Sequence, residues 1–329
     1  MGDVAGKWHG GVAIASARHD RHGVNEGSNP RVVLLFRGAL GDFLLALPAL
    51  RALRGRHPAA HATLVVAGWL RDLAGHAGVA DACASLDDAD TAGLFAGTRV
   101  PRWLADRPLV HTWLGRADPD FRARLVALAS QVEVHGVERG EADEHASVTY
   151  ARSLGFAASL AELAAGARLR CPPSSRAETL LARLRRPVLV VHPGAGSRAK
   201  RWSLGGFGAV VAAWRDGGGD VARLVGPAEL DLPAIAGTHE VAGWELPDVA
   251  ALLAAADGYL GNDSGISHLA AAVGARGVAV FGPTPAQRWR PLGDAVVAVQ
   301  GHGDATGIAL DALSARVVIE AVRGATRLP

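Results

Sequence analysis

From Arg31 onward the chain alternates short apolar runs with longer amphipathic stretches, and this alternation restricts its fold more than any other feature. The run at 32–37 reads VVLLFR. It is β-branched and aliphatic with no polar face, the pattern of a strand buried on both sides of a sheet. The turn Gly38-Ala39-Leu40-Gly41 follows, and then a helical stretch over 42–56. Further strand patterns lie at 63–67, 109–112 and 131–134. The same order restarts at 188–192 (VLVVH) and continues at 221–225, 258–261 and 278–281. Helical patterns fall at about 206–215, 247–256 and 264–273, with a last one at 310–323. Strands that alternate with helices in this way build parallel sheets covered by helices. Between the two halves, Pro172-Pro173-Ser174-Ser175 and a charged helix have the composition of a linker. The fold class expected is α/β, with two doubly wound Rossmann-like domains at 31–170 and 187–329, a linker at 171–186, and a polar, poorly ordered tail at 1–30. The last helix can pack on either domain.

A chain that is 49% hydrophobic and 20% charged can bury a large core, which excludes disorder for the body. No run free of charged residues reaches the ~20 residues of a membrane-spanning helix. A net charge of +2 is too mild to argue for nucleic acid. Cys83 and Cys171 give neither a disulfide framework nor a zinc spacing, which fits a cytosolic compartment. Of the 34 Lys and Arg residues only Lys7 and Lys200 are lysines, and Asn262 is the only asparagine after residue 30. Residues this scarce draw attention to the segments that hold them.

Two doubly wound domains leave a cleft between the carboxyl ends of their sheets, so chemistry should reside in the loops that leave the strands. Three such loops carry motifs. In Arg37-Gly38-Ala39-Leu40-Gly41-Asp42, the glycines allow close backbone approach or positive φ. Asp42 then stands at the start of the helix, either as a base for a substrate hydroxyl or as a helix cap. The spacing is not that of a dinucleotide fingerprint.

In the second loop, at 192–202 (HPGAGSRAKRW), a strand runs into glycines and then cations, including Gly196, Ser197 and Lys200. That order suits an anion cradle or an ordinary turn with solvated cations. It lacks the P-loop pattern of nucleotide hydrolases. In the third, at 260–274 (LGNDSGISHLAAAVG), the amides of Ser264 and Gly265 open a small-residue helix. Free N–H groups and the positive helix end favour a diphosphate there without a metal. Asp263 reads as a ligand or a cap. His268, one turn along the same face as Ser264, reads as a site residue or a buried histidine. Glu229, after Gly226-Pro227, suits ribose hydroxyls or an exposed helix start, and Trp244 suits an aromatic base or simple packing. No carboxylate pair has the placement of a Mg²⁺ site, so no metal is called for.

The segments RGALGDFLLALPALRALR, HPGAGSRAKRW and GNDSGISHLAAAVGARGVAVFGPT together resemble glycosyltransferase family 9, the heptosyltransferases. The similarity runs from about residue 31 to 292. It implies a two-lobed GT-B fold with the acceptor on the first lobe and the donor on the second. It also implies a nucleotide-diphosphate sugar as substrate, typically ADP-heptose, transfer with inversion, and no cofactor. Carried over by position, Asp42 matches the family's proposed base and Lys200 the diphosphate-contacting lysine. Asp263, Ser264, Gly265 and His268 match the donor-site turn, with Gly41, Gly196 and Ser197 beside it. Glu229 and Trp244 match nucleoside-facing positions more loosely. Family members often carry Thr or Ser where this chain has Ala195 and Gly196. The implied partners are the nucleotide sugar and a glycan or glycolipid acceptor such as a lipopolysaccharide core sugar. With these go a cytoplasmic monomer, no nucleic acid, and room for a peripheral contact with the inner face of the membrane. Two other readings of the same residues are a nucleotide-sugar epimerase of GT-B-like fold and a non-catalytic nucleotide-binding module.

Overall fold

The computed structural model describes residues 30–137, 144–230, 232–301, 303–304, 307–308 and 310–326. The tail expected at 1–30 lies outside the described residues apart from Pro30. The first lobe runs β1 (Arg31–Leu35), α1 (Leu40–Arg56), β2 (His61–Val66), α2 (Gly68–Gly75), β3 (Ala82–Ser85), α3 (Ala89–Ala96), β4 (Leu109–Thr112), α4 (Pro119–Leu128), β5 (Gln131–Val134), α5 (Ala146–Ser153) and α6 (Leu160–Ala165). After α7 (Ser175–Leu181), the second lobe runs β6 (Val188–His192), α8 (Leu204–Asp216), β7 (Asp220–Val225), β8 (Thr238–Ala242), α9 (Leu246–Ala255), β9 (Gly258–Asn262), α10 (Gly265–Val273), β10 (Gly277–Phe281), α11 (Ala286–Trp289), β11 (Val296–Gln300) and α12 (Ala315–Thr326).

Strand order is β3-β2-β1-β4-β5 in the first sheet and β11-β10-β9-β6-β7-β8 in the second, and the pairings are parallel. Each half therefore starts in the middle of its sheet, steps outward twice, and crosses back to the other side. The direction reverses between β1 and β4 and again between β6 and β9. Loops diverge at such a switch point and leave a crevice at the carboxyl ends of the strands. The Arg37–Asp42 turn leaves β1, and the other two motifs leave β6 and β9, so all three flank a switch point.

The apolar runs are central strands because both of their faces are covered. Val33, Leu35, Val65 and Val110 pack with Phe121 and Leu125 of α4. Val32 and Leu34, on the opposite face of β1, join the α1 residues Leu44 and Leu47. This second layer is continuous across both lobes, since it also holds Leu269 and Ala270 of α10. The Leu169 N–H donates to Ala272 O at 2.8 Å, which ties the end of the first lobe to α10. The segment at 171–186 contains α7, whose N-cap Ser174 donates its hydroxyl to Asp248 Oδ1 on α9 at 2.5 Å. Of the two packings open to the last helix, α12 takes the second lobe: Val318 and Val322 lie fully buried with Leu189, Val210 and Val278. Among the described residues no helix is long and apolar enough to cross a membrane.

Candidate active site

The loops after β6 and β9 are held together by Asn262, which is fully buried at the end of β9. Its Oδ1 accepts the Trp202 N–H at 3.0 Å, and its Nδ2 donates to Pro193 O at 2.8 Å. A buried amide satisfied at both ends fixes two irregular loops that have no ladder of their own. The Ser267 hydroxyl donates to Asn262 O at 2.6 Å and lies 2.9 Å from the Tyr259 hydroxyl. Gly261 is required here, because a Cβ at that position would fall on the Tyr259 hydroxyl.

On this platform the charged side chains form two groups. Lys200 Nζ lies 2.8 Å from Asp263 Oδ2, with the lysine side chain one-third exposed and the aspartate buried. The contact is ionic and lacks the alignment of a hydrogen bond. The second group is a row. Ser264 Oγ lies 3.2 Å from His192 Nδ1, and His192 Nε2 lies 3.6 Å from Glu229 Oε2. Glu229 Oε2 also accepts the Gly226 N–H at 2.8 Å. The His192 contact, then the backbone donor, hold the Glu229 carboxyl below the usual carboxylate range, against the opposing effect of burial. An exposed helix start, one of the two placements open for Glu229, is thereby excluded: only 4% of the residue is exposed. His192, to which the sequence reading gives no role, joins Ser264 to Glu229. The only signal for it is a histidine that closes a strand immediately before Pro-Gly.

Beside this row lies a cavity of about 300 Å³, within the size range of small-molecule sites. Trp244, Glu229 and Pro227 line it, with Ser264 and Gly265 at the start of α10 and Ala195 and Gly196 from the β6 loop. The first lobe contributes Leu40 and Trp69. Arg176 lies over the Trp244 ring, 4.9 Å from its centroid, so one indole face is already covered.

Opposite, α1 begins at Leu40 and Asp42 is its third residue. Asp42 Oδ2 accepts the Ala39 N–H at 3.1 Å, and Oδ1 accepts the Tyr150 hydroxyl at 3.3 Å. The carboxylate therefore caps the helix and remains partly exposed. Burial, then the Asp42 charge, raise the Tyr150 phenol, so Tyr150 acts as a donor to Asp42 and not as an acid. Neither Gly38 nor Gly41 has positive φ, which corrects that part of the glycine argument. Close approach is what both provide. A Cβ on Gly38 would lie 2.7 Å from Phe36 Cε1 and 2.8 Å from Asp42 Cβ, and one on Gly41 would lie 3.1 Å from His268 Cδ2. A Cβ on Gly265 would lie 2.8 Å from Leu40 Cβ. The starts of α1 and α10 thus touch, and the lobes meet at their motifs. Burial lowers the His268 imidazole to about 4, with Asp263 opposing, so it is neutral at ordinary pH.

The model of glycosyltransferase family 9 (heptosyltransferase) matches residues 123–307, more than half of the chain. The chain belongs to this family. It is a glycosyltransferase of the heptosyltransferase type, and its two parallel sheets form the GT-B fold. A family 9 glycosyl transferase from Veillonella parvula superposes with a TM-score of 0.71 at 17% identity, covering 91% of this chain and 97% of that one. The ADP-heptose lps heptosyltransferase II of E. coli gives 0.66 at 19% identity, covering 90% and 98%. The E. coli heptosyltransferase WaaC, solved with ADP, gives 0.61 at 19% identity, covering 88% and 98%. At these identities the likeness concerns the fold. A comparison with curated proteins gives no match.

In this glycosyltransferase the residues singled out from sequence do not all reach one surface. Gly196, Glu229, Trp244, Ser264 and Gly265 line the cavity. Lys200 and Asp263 pair with each other and are not part of the cavity wall, His268 is buried against Gly41, and Asp42 faces Tyr150. Ser197 is the N-cap of the short turn Arg198–Lys200, outside the cavity wall.

Proposed function

We propose that the protein transfers a heptose from ADP-heptose to a hydroxyl of a lipopolysaccharide core sugar, with inversion and without a metal. The observation that carries this reading is the meeting of the two helix starts. Gly41 against His268 and Leu40 against Gly265 bring the start of α1, whose third residue is Asp42, onto the start of α10, whose Ser264 and Gly265 line the cavity together with Leu40. The relative WaaC was solved with ADP and with ADP-2-deoxy-2-fluoro heptose, which fits an adenosine diphosphate in the corresponding cavity. The base would lie at Trp244, and the narrow accessible edge of Glu229 would meet the ribose. The diphosphate would lie at the start of α10, where free amides and the helix dipole favour negative charge.

Asp42 then takes the proton of the acceptor hydroxyl as its oxygen attacks the anomeric carbon. The bond from that carbon to the diphosphate oxygen breaks, and the diphosphate leaves with the electron pair. One in-line displacement inverts the centre. Lys200, held by Asp263, and the amides of α10 offset the charge that builds on the leaving group, which is the task a divalent cation performs elsewhere. The acceptor enters from the first lobe, and a glycolipid acceptor brings a monomeric cytoplasmic enzyme to the inner face of the membrane. Asp42→Asn should lower kcat by about 10²- to 10⁴-fold and leave calorimetric donor affinity unchanged. Near-normal turnover would remove Asp42 from this role. ADP-heptose should bind more tightly than UDP- or GDP-sugars, and tighter binding of a uridine donor would overturn the donor assignment. Without acceptor the donor should persist, whereas its conversion to an epimer would favour the epimerase reading.

A further inference from the structure

We propose that His111, Glu133 and His135 bind one divalent transition-metal ion of the Zn²⁺ type at the far edge of the first sheet. His111 on β4 is the register partner of Glu133 on β5, and His135 lies two residues further along the same strand direction. Side chains at alternate positions share a face, so all three project to one side of the sheet. His111 Nδ1 lies 3.0 Å from His135 Nε2 and 3.2 Å from Glu133 Oε2, and one ligand atom from each residue falls within 4.8 Å of the others. A tetrahedral site with bonds near 2.0–2.1 Å has ligand-to-ligand edges of about 3.3 Å. The two short separations therefore need to open by only a few tenths of an ångström.

The surroundings also favour ligation. His135 Nδ1 lies 3.1 Å from Ser153 O. A carbonyl only accepts, so Nδ1 carries the hydrogen and the Nε2 lone pair is directed at the cluster. That is the arrangement by which a metal-bound histidine is usually oriented. His111 is 4% exposed in its side chain and Glu133 is 41% exposed, which leaves an approach for an ion and for a water in the remaining position. Two imidazoles and one carboxylate suit Zn²⁺ and its neighbours better than Mg²⁺ or Ca²⁺. The nearby Arg56 donates to Leu154 O at 2.8 Å and lies 3.7 Å over the Phe156 ring, and the Glu133 charge offsets it.

None of the three ligands lines the donor cavity. The link to it is α5, which supplies Ser153 O to His135 and the Tyr150 hydroxyl to Asp42. An ion here would fasten β5 to α5 and steady Tyr150, without taking part in sugar transfer.

The test is calorimetric titration of the full-length, chelator-stripped protein with Zn²⁺, with the visible absorption of added Co²⁺ as a second signal. The wild type should bind one ion that His111→Ala, His135→Ala and Glu133→Gln each weaken by at least about 10-fold. Should the histidine variants fail to fold, Glu133→Gln decides alone, because its half-exposed side chain can change without disturbing the core. The absence of any Zn²⁺ binding overturns the site. So does binding that is unchanged in Glu133→Gln, since the ion would then be held by other histidines among the 13 in the chain.

Discussion

The Glu229 carboxylate occupies the space that Gly194 leaves by having no side chain, since a Cβ there would fall on it. Gly194→Ala should push Glu229 away from His192 and from the Gly226 N–H. Hydrogen bonds to a charged group contribute about 1.5–3 kcal/mol, so donor affinity measured by calorimetry should fall about 10- to 100-fold. Unchanged affinity would remove Glu229 from the donor site. The scarcity of Lys and Asn also takes on physical content at this scale. Asn262 is the buried staple between two loops, a role that needs one donor and one acceptor on a single short side chain. Lys200 is the cation that pairs with Asp263, the residue just before the N-cap of α10. Their scarcity draws attention to these two loops. It could not say that one is a tie and the other an ion-pair partner.

At the level of elements, the turn between β1 and α1 decides where Asp42 stands. Gly38→Ala would place a methyl 2.8 Å from Asp42 Cβ and 2.7 Å from Phe36 Cε1, so either the ring or the helix start must move. Gly38 is not part of the cavity wall. Misplacement of a reacting group by about 1 Å can cost about 100-fold in rate, so kcat should fall by about 10- to 100-fold with donor affinity unaltered. Equal losses in both would mean that α1 also shapes the donor site. Within the two parallel sheets, the strands that sequence patterning misses are β3, β8 and β11, and each is a sheet edge. The residues of β3 and β8, ACAS and THEVA, are short or largely exposed and lack the long apolar runs of the central strands, whereas β11, VVAVQ, carries an apolar run of its own. At 171–186 the helix that follows Pro-Pro-Ser-Ser is α7, and it docks on α9, because Ser174 caps the helix and reaches Asp248.

For the whole molecule, burial of neutral histidine couples folding to pH. His268 is ordinarily expected near 6.5 and is lowered to about 4 in the folded chain, while burial also lowers His145, whose Nε2 lies 3.0 Å from Arg290 O. The unfolded chain takes up these protons first as pH falls. The stability from neutral His268 is therefore fully present above about pH 6.5 and is lost as pH falls through about 4, an effect on the order of 3 kcal/mol. Urea unfolding from pH 7 to 4 should show this decline, and His268→Gln should make it shallower. An identical slope in the variant would assign the acid sensitivity to other groups.

The sequence by itself determined the α/β alternation, the two doubly wound halves and the loops in which chemistry could lie, because strand burial and helix periodicity are local patterns. Which members of each motif face the cavity, the Ser264–His192–Glu229 row, and the His111–Glu133–His135 cluster were decided only by tertiary structure. Each joins residues from different strands, and strand order and register, which no local pattern encodes, bring them within reach of one another.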